Sequence, residues 1–393
     1  MKVKKLVASM FAVGMAASPL VYATNGDEMM AVGSQSTALG GTGVANFIGA
    51  ESTWANPAML GKSKGSEITG GVVSFTPTVT NNGMGGVDSS SKANTSYIPD
   101  VSYSSRINDS LSYGVAVAGI AGMGVDYSSA NASTHIKAKS ALSILRVVPT
   151  LAYNSKDFGV GFSPIFQSGS LMLSYNNGSA VNAGESSDSS SGYGYSLGGY
   201  YNLSALTLAA SYQSEIAAKY GKQISAAGTG FGQTFGDDLN QPAEMKAGVA
   251  YAVADSLTLT ADYKLIQWGS AAGYKDFNWK DQTIVAVGAK YAADSYWLGL
   301  GYNNANNPIG AAVGSTSKGA AINLFNNMFF PAVVTNSYTF GGGYNISKAF
   351  AVEGAAVITP KETVSVPASA FGVTSNTTTH SQQSYSLSLR YAF

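Results

Sequence analysis

The sequence predicts an all-β fold, a transmembrane antiparallel barrel of about 14 strands, and three observations carry that expectation. The first is the end of the chain. Tyr385, Leu387, Leu389, Tyr391 and Phe393 alternate with Ser384, Ser386, Ser388, Arg390 and Ala392. Side chains of a strand alternate between its faces. A strand that is apolar on one face and small or polar on the other suits a wall between lipid and a wet lumen. The second is the beginning of the chain. Lys2, Lys4 and Lys5 precede a short apolar stretch, Leu6 to Ala17, and small residues surround Ala23. This pattern reads as a secretory signal peptide over residues 1–23. The third is composition: 46 glycines, 23 tyrosines, no cysteine and only 11% charged residues. No later run is long and apolar enough for a spanning helix, so lipid-facing surface has to come from alternation. Zero net charge gives a polyanion nothing to bind, which argues against a nucleic-acid partner.

Alternating segments begin near residue 67. They fall near 67–80, 94–107, 110–122, 139–154, 157–175, 191–203, 205–216, 242–254, 256–268, 281–293, 295–304, 336–346, 349–360 and 381–393. In the ninth, Leu257, Leu259, Ala261, Tyr263 and Leu265 oppose Thr258, Thr260, Asp262 and Lys264. In the eleventh, Tyr296, Leu298, Leu300 and Tyr302 oppose Gly299, Gly301 and Asn303. Charges sit opposite the large apolar residues, as they must when Lys or Arg on the lipid face costs roughly 2–4 kcal/mol near the midplane. Short connections such as Asn108-Asp109, Ser155-Lys156 and Ser347-Lys348 carry turn residues. They alternate with long ones near 81–93, 123–138, 176–190, 217–241, 269–280, 305–335 and 361–380. Short periplasmic turns and long outer loops are the asymmetry of bacterial barrels, and an even strand count places both termini in the periplasm.

Residues 24–66 lack strand alternation yet carry Leu39, Val44, Phe47, Ile48, Trp54 and Met59, which need burial. The barrel lumen is the nearest place, so this segment is expected to be a plug and residues 67–393 the barrel.

Two motifs in that segment, Ser36-Thr-Ala-Leu-Gly-Gly-Thr-Gly-Val-Ala45 and Ser52-Thr-Trp-Ala-Asn-Pro-Ala-Met-Leu60, resemble the N-terminal hatch of the FadL family of outer-membrane transporters. Gln241 to Tyr251, Ala261-Asp-Tyr263, Trp279-Lys-Asp281, Asn307-Pro308, Phe330-Pro331 and Phe340 to Tyr344 continue the likeness in order along the chain. The aromatic end, Tyr391 and Phe393, resembles the signal by which barrel-assembly machinery recognises such chains. The resemblance implies a monomeric uptake channel in the outer membrane, surrounded by its lipid and lipopolysaccharide. The expected ligand is a hydrophobic small molecule, foremost a long-chain fatty acid. Ligand would pass the hatch (Gly40, Gly41, Gly43, Asn56, Pro57 and Ala58) and leave sideways through a kinked third strand. Gly119, Gly122 and Gly124 are the candidate gate there. Lateral release has a physical basis, since each CH₂ kept from water gains about 0.8 kcal/mol.

A fatty carboxylate needs a buried cation. Lys280 is the candidate the resemblance implies, with Lys246 and Lys264 also on the lumen side. The fifth strand departs from the fatty-acid pattern, because Phe166 to Leu173 has no basic residue. That leaves aromatic or aliphatic hydrocarbons as the alternative cargo. A general diffusion porin is opposed by the plug-like segment, and a purely structural or adhesive barrel stays open. A membrane-embedded hydrolase needs a histidine constellation, and the two histidines, His135 and His380, fall in expected loops. No catalytic residue, metal site or cofactor is expected.

Overall fold

The computed structural model describes residues 24–131, 136–175 and 186–393, so the expected signal peptide and His135 lie outside the described residues. Fifteen strands follow in chain order: β1 Glu67–Asn81, β2 Ser89–Ser90, β3 Ser96–Arg106, β4 Leu111–Asp126, β5 Lys139–Asn154, β6 Phe158–Ser174, β7 Asp188–Leu203, β8 Leu206–Gln213, β9 Glu244–Ala254, β10 Leu257–Ile266, β11 Gln282–Ala292, β12 Tyr296–Ala305, β13 Asn336–Asn345, β14 Phe350–Ala368 and β15 Val373–Ala392. β2 is a two-residue addition to the edge of β1. The other fourteen pair antiparallel with their sequence neighbours, and β15 returns to β1 from Glu67↔Ala392 to Asn81↔Thr378. Closure pairs the first and last strands, so the sheet has no open end, as a lipid environment requires.

Alternation sorts the side chains as expected. Tyr385, Leu387, Leu389, Tyr391 and Phe393 point outward, and Leu300 is 67% exposed towards the space lipid occupies. Ser388 and Arg390 turn inward. Arg390 Nη2 lies 2.9 Å from both Glu51 and Glu353, and its Nη1 also pairs with Glu67. A guanidinium shared by β1, β14, β15 and the pre-barrel segment fastens that segment to the wall. Charges so buried are tolerated because each has a partner.

Residues 24–66 are almost wholly buried and lie against lumen-facing residues of many strands. They form only short helical pieces, Ser34–Ala38, Gly49–Glu51, Ser52–Ala55 and Pro57–Lys62. A second core fills the other end of the barrel, beneath the loops. It gathers Trp268, Tyr274, Phe277 and Trp279 with Phe231, Phe235, Phe325 and Phe329. Helix Ser317–Phe329, started by the Thr316 hydroxyl accepting from Gly319 N–H, supplies three buried asparagines. Their amides bond Ala312 and Pro367 (Asn323), Phe277 (Asn326) and Asn376 (Asn327), stitching separate loops into one cover.

Two expectations need correction. The connection near 361–380 is not a loop: β14 and β15 run through it, leaving only Ser369–Phe371 as the turn. Its Thr- and Ser-rich alternation suits a strand outside the lipid, where no apolar face is needed. His380 is therefore not a loop residue. It is buried in β15, with Nδ1 2.9 Å from the Pro331 carbonyl oxygen.

Candidate functional site: a plugged lumen beside a gap in the wall

The hatch candidates converge on the barrel wall. Gly40 and Gly41 have φ of +73° and +88°, a region open to glycine at little cost. A Cβ on Gly40 would sit 2.7 Å from the Tyr302 carbonyl oxygen. Gly40 N–H donates to Thr339 Oγ1 (2.9 Å), and its carbonyl accepts from Asn303 Nδ2 (2.9 Å). Gly43 and Val44 N–H both donate to Asp262 Oδ2, at 2.8 and 3.0 Å. Asn56 is extended (φ −157°, ψ 112°) ahead of Pro57, as steric crowding before proline favours. Its Oδ1 accepts from Ala58 N–H, and its Nδ2 donates to Val44 O (2.9 Å) and to Gly199 O on β7 (3.2 Å).

β4, the third strand of the barrel, is irregular where Gly119, Gly122 and Gly124 cluster. Its register to β5 slips between Gly119 and Ala121, leaving Ile120 as a bulge. Its pairing to β3 stops at Asp100↔Ala118, although β3 continues to Ser96 and β4 to Asp126. The wall therefore has a gap between β3 and β4. At its upper end Lys92 N–H donates to Asp126 O (2.8 Å) and Asp126 N–H to Ser91 Oγ (2.9 Å). Within the gap the plug supplies the partners. Met29 N–H donates to Ile120 O and Gly122 N–H donates to Asp27 O, each at 2.8 Å. Gly124 meets β5 closely, since a Cβ there would collide with the Ser140 carbonyl.

A lumen cavity of ≈ 80 Å³ adjoins this gap and is lined by Glu28, Met29 and Ile120, by Val44, Ile48 and Trp54, and by Arg146, Glu244, Lys246, Asp262 and Lys264. Drug-sized ligands occupy about 300–1,000 Å³, and even an engineered benzene site measures about 150 Å³. The cavity is too small for such a ligand. Lys246 and Lys264 do face the lumen, but both attend Glu244, at 3.1 and 3.8 Å. Lys280 does not join them: it is exposed at the end of a long loop, while its neighbour Trp279 turns inward. Tyr391 and Phe393 stack on the outer surface, with ring centroids 5.6 Å apart.

Sequence reasoning missed Arg146. It is 3% exposed on β5, donates to Gln167 (2.9 Å) and Gln213 (3.2 Å), and its Nη2 has no hydrogen-bond partner among the described residues. The signal was present as a lone arginine within the alternation of Ser143, Leu145, Val147 and Pro149 with Ile144, Val148 and Thr150.

The outer aromatic core touches the plug. Trp268, Tyr274 and Trp279 pack with centroids 4.5–5.1 Å apart. The Tyr274 hydroxyl donates to Asp27 Oδ2, which also accepts from Gln241 Nε2 (3.2 Å). Burial pushes the Asp27 carboxyl up to about 6, against the opposing pull of those two hydrogen bonds. One residue thus bonds the outer aromatic cluster through its side chain and the gap in β4 through its carbonyl.

The fold is shared with known proteins. The family model described as outer membrane protein transport protein (OMPP1/FadL/TodX) matches residues 16–311. Among solved structures, the Ralstonia pickettii toluene transporter TbuX is 19% identical with a TM-score of 0.65, over 93% of this chain and 99% of that one. The P. putida toluene transporter TodX is 17% identical, TM-score 0.67, over 96% and 99%. A Pseudomonas aeruginosa FadL homologue is 16% identical, TM-score 0.69, over 96% and 100%. No curated protein matches by sequence.

Proposed function

The chain belongs to the OMPP1/FadL/TodX family of outer-membrane transport proteins, and from that premise we propose that it takes up small neutral hydrophobic molecules, aromatic hydrocarbons above all, and releases them sideways into the membrane. The observation that carries this reading is the lumen cavity beside a wall gap where Asp27 and Met29 bond the edge of β4 in place of β3. Ligand collects among the aromatic rings under the loops. Displacing Tyr274 frees Asp27, Asp27–Met29 leave β4, and the ligand passes between β3 and β4 without entering water. The short turns face the periplasm with both termini, and the barrel acts as a monomer.

Charge supports a neutral cargo. Of the three cations that line the cavity, Lys246 and Lys264 are already held by Glu244, which leaves an anionic ligand only Arg146 among them. A long-chain fatty acid is the second reading, favoured by the unpartnered Arg146 Nη2. TbuX and TodX are described as toluene transporters, which agrees with the first reading.

Calorimetry on the purified protein with toluene and with palmitate tests both. We expect toluene binding that changes less than about twofold in Arg146→Gln, and none of this to depend on Lys280→Ala. Palmitate binding that Arg146→Gln weakens about 10- to 150-fold, the worth of a charge-assisted hydrogen bond, would establish the fatty-acid reading instead.

A further inference from the structure

The gap between β3 and β4 has a cause on the outer face of the barrel. Backbone groups of successive strand residues point to opposite neighbours in an antiparallel sheet. In β3 the alternation is set at its lower end. Arg106 N–H donates to Gly65 O on the β1 side, and Ile107 N–H donates to Leu111 O on the β4 side. Counting back, odd-numbered residues address β4, and so does position 99. Position 99 is proline, which has no N–H to give. Its place in the ladder lies opposite Gly119, one step beyond the last pair, Asp100↔Ala118. Pairing towards β1 runs through Pro99 undisturbed, as Val72↔Pro99, because the missing donor faces the other way.

We propose that Pro99 is the positioning residue that keeps the side window unzipped, so that plug residues Asp27–Met29, and not β3, cover the edge of β4. A strand proline is confined to edges and bulges because it cannot donate to a ladder; here it creates an edge inside a closed barrel. The bulge at Ile120 sits one residue past the missing bond, and from there the β4 edge is taken by Met29 N–H and Asp27 O. The cover is a detachable segment of about three residues, whereas continued β3 pairing would belong to the barrel itself. The Pro99 side chain lies on the same face as exposed Tyr97, away from buried Ile98 and Asp100, so it touches no ligand in the lumen. Its contribution is the absent backbone donor. This inference rests on the lateral-release reading for its consequence, but not for its structural content.

Pro99→Val restores the donor, keeps an apolar outward residue and leaves the lumen unchanged. Pro99→Ala does the same with the smallest side chain and serves where the valine barrel assembles poorly. Hydrogen exchange on the full-length protein reads the ladder. We expect slower exchange over residues 96–101 and faster exchange over 24–30, as β3 displaces the plug from β4. Uptake of labelled toluene into proteoliposomes should fall by a factor of roughly 2–10, the effect of one added backbone hydrogen bond on the closed-to-open ratio. Unchanged exchange in both segments of either folded variant overturns the proposal. The expected exchange changes in a protein whose wild type carries no hydrophobe uphold the role of Pro99 and defeat the uptake reading, so the two failures are distinguishable.

Discussion

Asn56 shows how one side chain holds a segment that has almost no regular structure of its own. Its amide caps the Pro57–Lys62 turn, ties it to Val44 within the plug and reaches Gly199 on β7. Asn56 is fully buried, so removing the amide leaves the Val44 carbonyl without this donor and the Ala58 N–H without its acceptor, at a cost of about 1–3 kcal/mol. In Asn56→Ala we expect the barrel to keep its heat-resistant migration on gels while transport falls and protease cuts within residues 24–66. A folded variant with wild-type transport would take Asn56 out of the mechanism. The same scale explains why the cation sites were only half legible. Alternation alone places Lys246, Lys264 and Arg146 inside, but it cannot tell which finds a carboxylate. Glu244 takes both lysines and leaves Arg146 Nη2 without a partner. Lys280 lies outside a strand, where alternation says nothing about direction.

At the scale of elements, the proposed release turns on the contact between the loop turn Tyr274–Phe277 and residue Asp27. The Tyr274 ring belongs to the aromatic cluster, and its hydroxyl belongs to Asp27. In Tyr274→Phe, Asp27 keeps Gln241 but loses the tyrosine donor. Losing one hydrogen bond to a charged group, about 1.5–3 kcal/mol, should speed amide exchange over residues 24–30 by at least tenfold, with strand amides unaffected. Equal exchange rates in the variant and the wild type would show that the loop and plug are not linked through this contact. The elements also mark where a two-residue period is a sufficient guide. Strands that must be apolar on one side announced themselves within a few residues. The upper halves of β14 and β15 did not, because a hairpin beyond the lipid has no greasy face, and its Ser/Thr runs read as loop.

For the whole molecule, the arrangement is a barrel closed by β15 on β1 with one gap in its wall, a segment fastened inside it and an aromatic core covered by loops. Arg390 binds the plug through Glu51, but it keeps Glu67 and Glu353 within the barrel. Around Arg390 the wall therefore keeps ion pairs of its own without the plug. Deleting residues 27–60 should leave a folded barrel whose conductance in planar bilayers is higher than that of the intact protein. Identical conductance would mean that this segment does not obstruct the lumen.

The sequence by itself determined the class of molecule: the export of the chain as an expectation, the number and order of strands, the side most lipid-level strand residues face and the family. These follow from period-two alternation and from short motifs, which are local properties of a chain that must present one face to lipid. Only the tertiary structure decided which residues meet inside the lumen. The pairing of Arg390 with Glu51, of Tyr274 with Asp27 and of Met29 with Ile120 joins residues far apart in the chain, and no local pattern encodes such meetings. The gap in the wall belongs to both. Pro99 and the Gly119–Gly124 cluster are visible in the sequence, but their meaning depends on which neighbour the missing N–H would have faced. That is a matter of register, fixed only when the barrel closes.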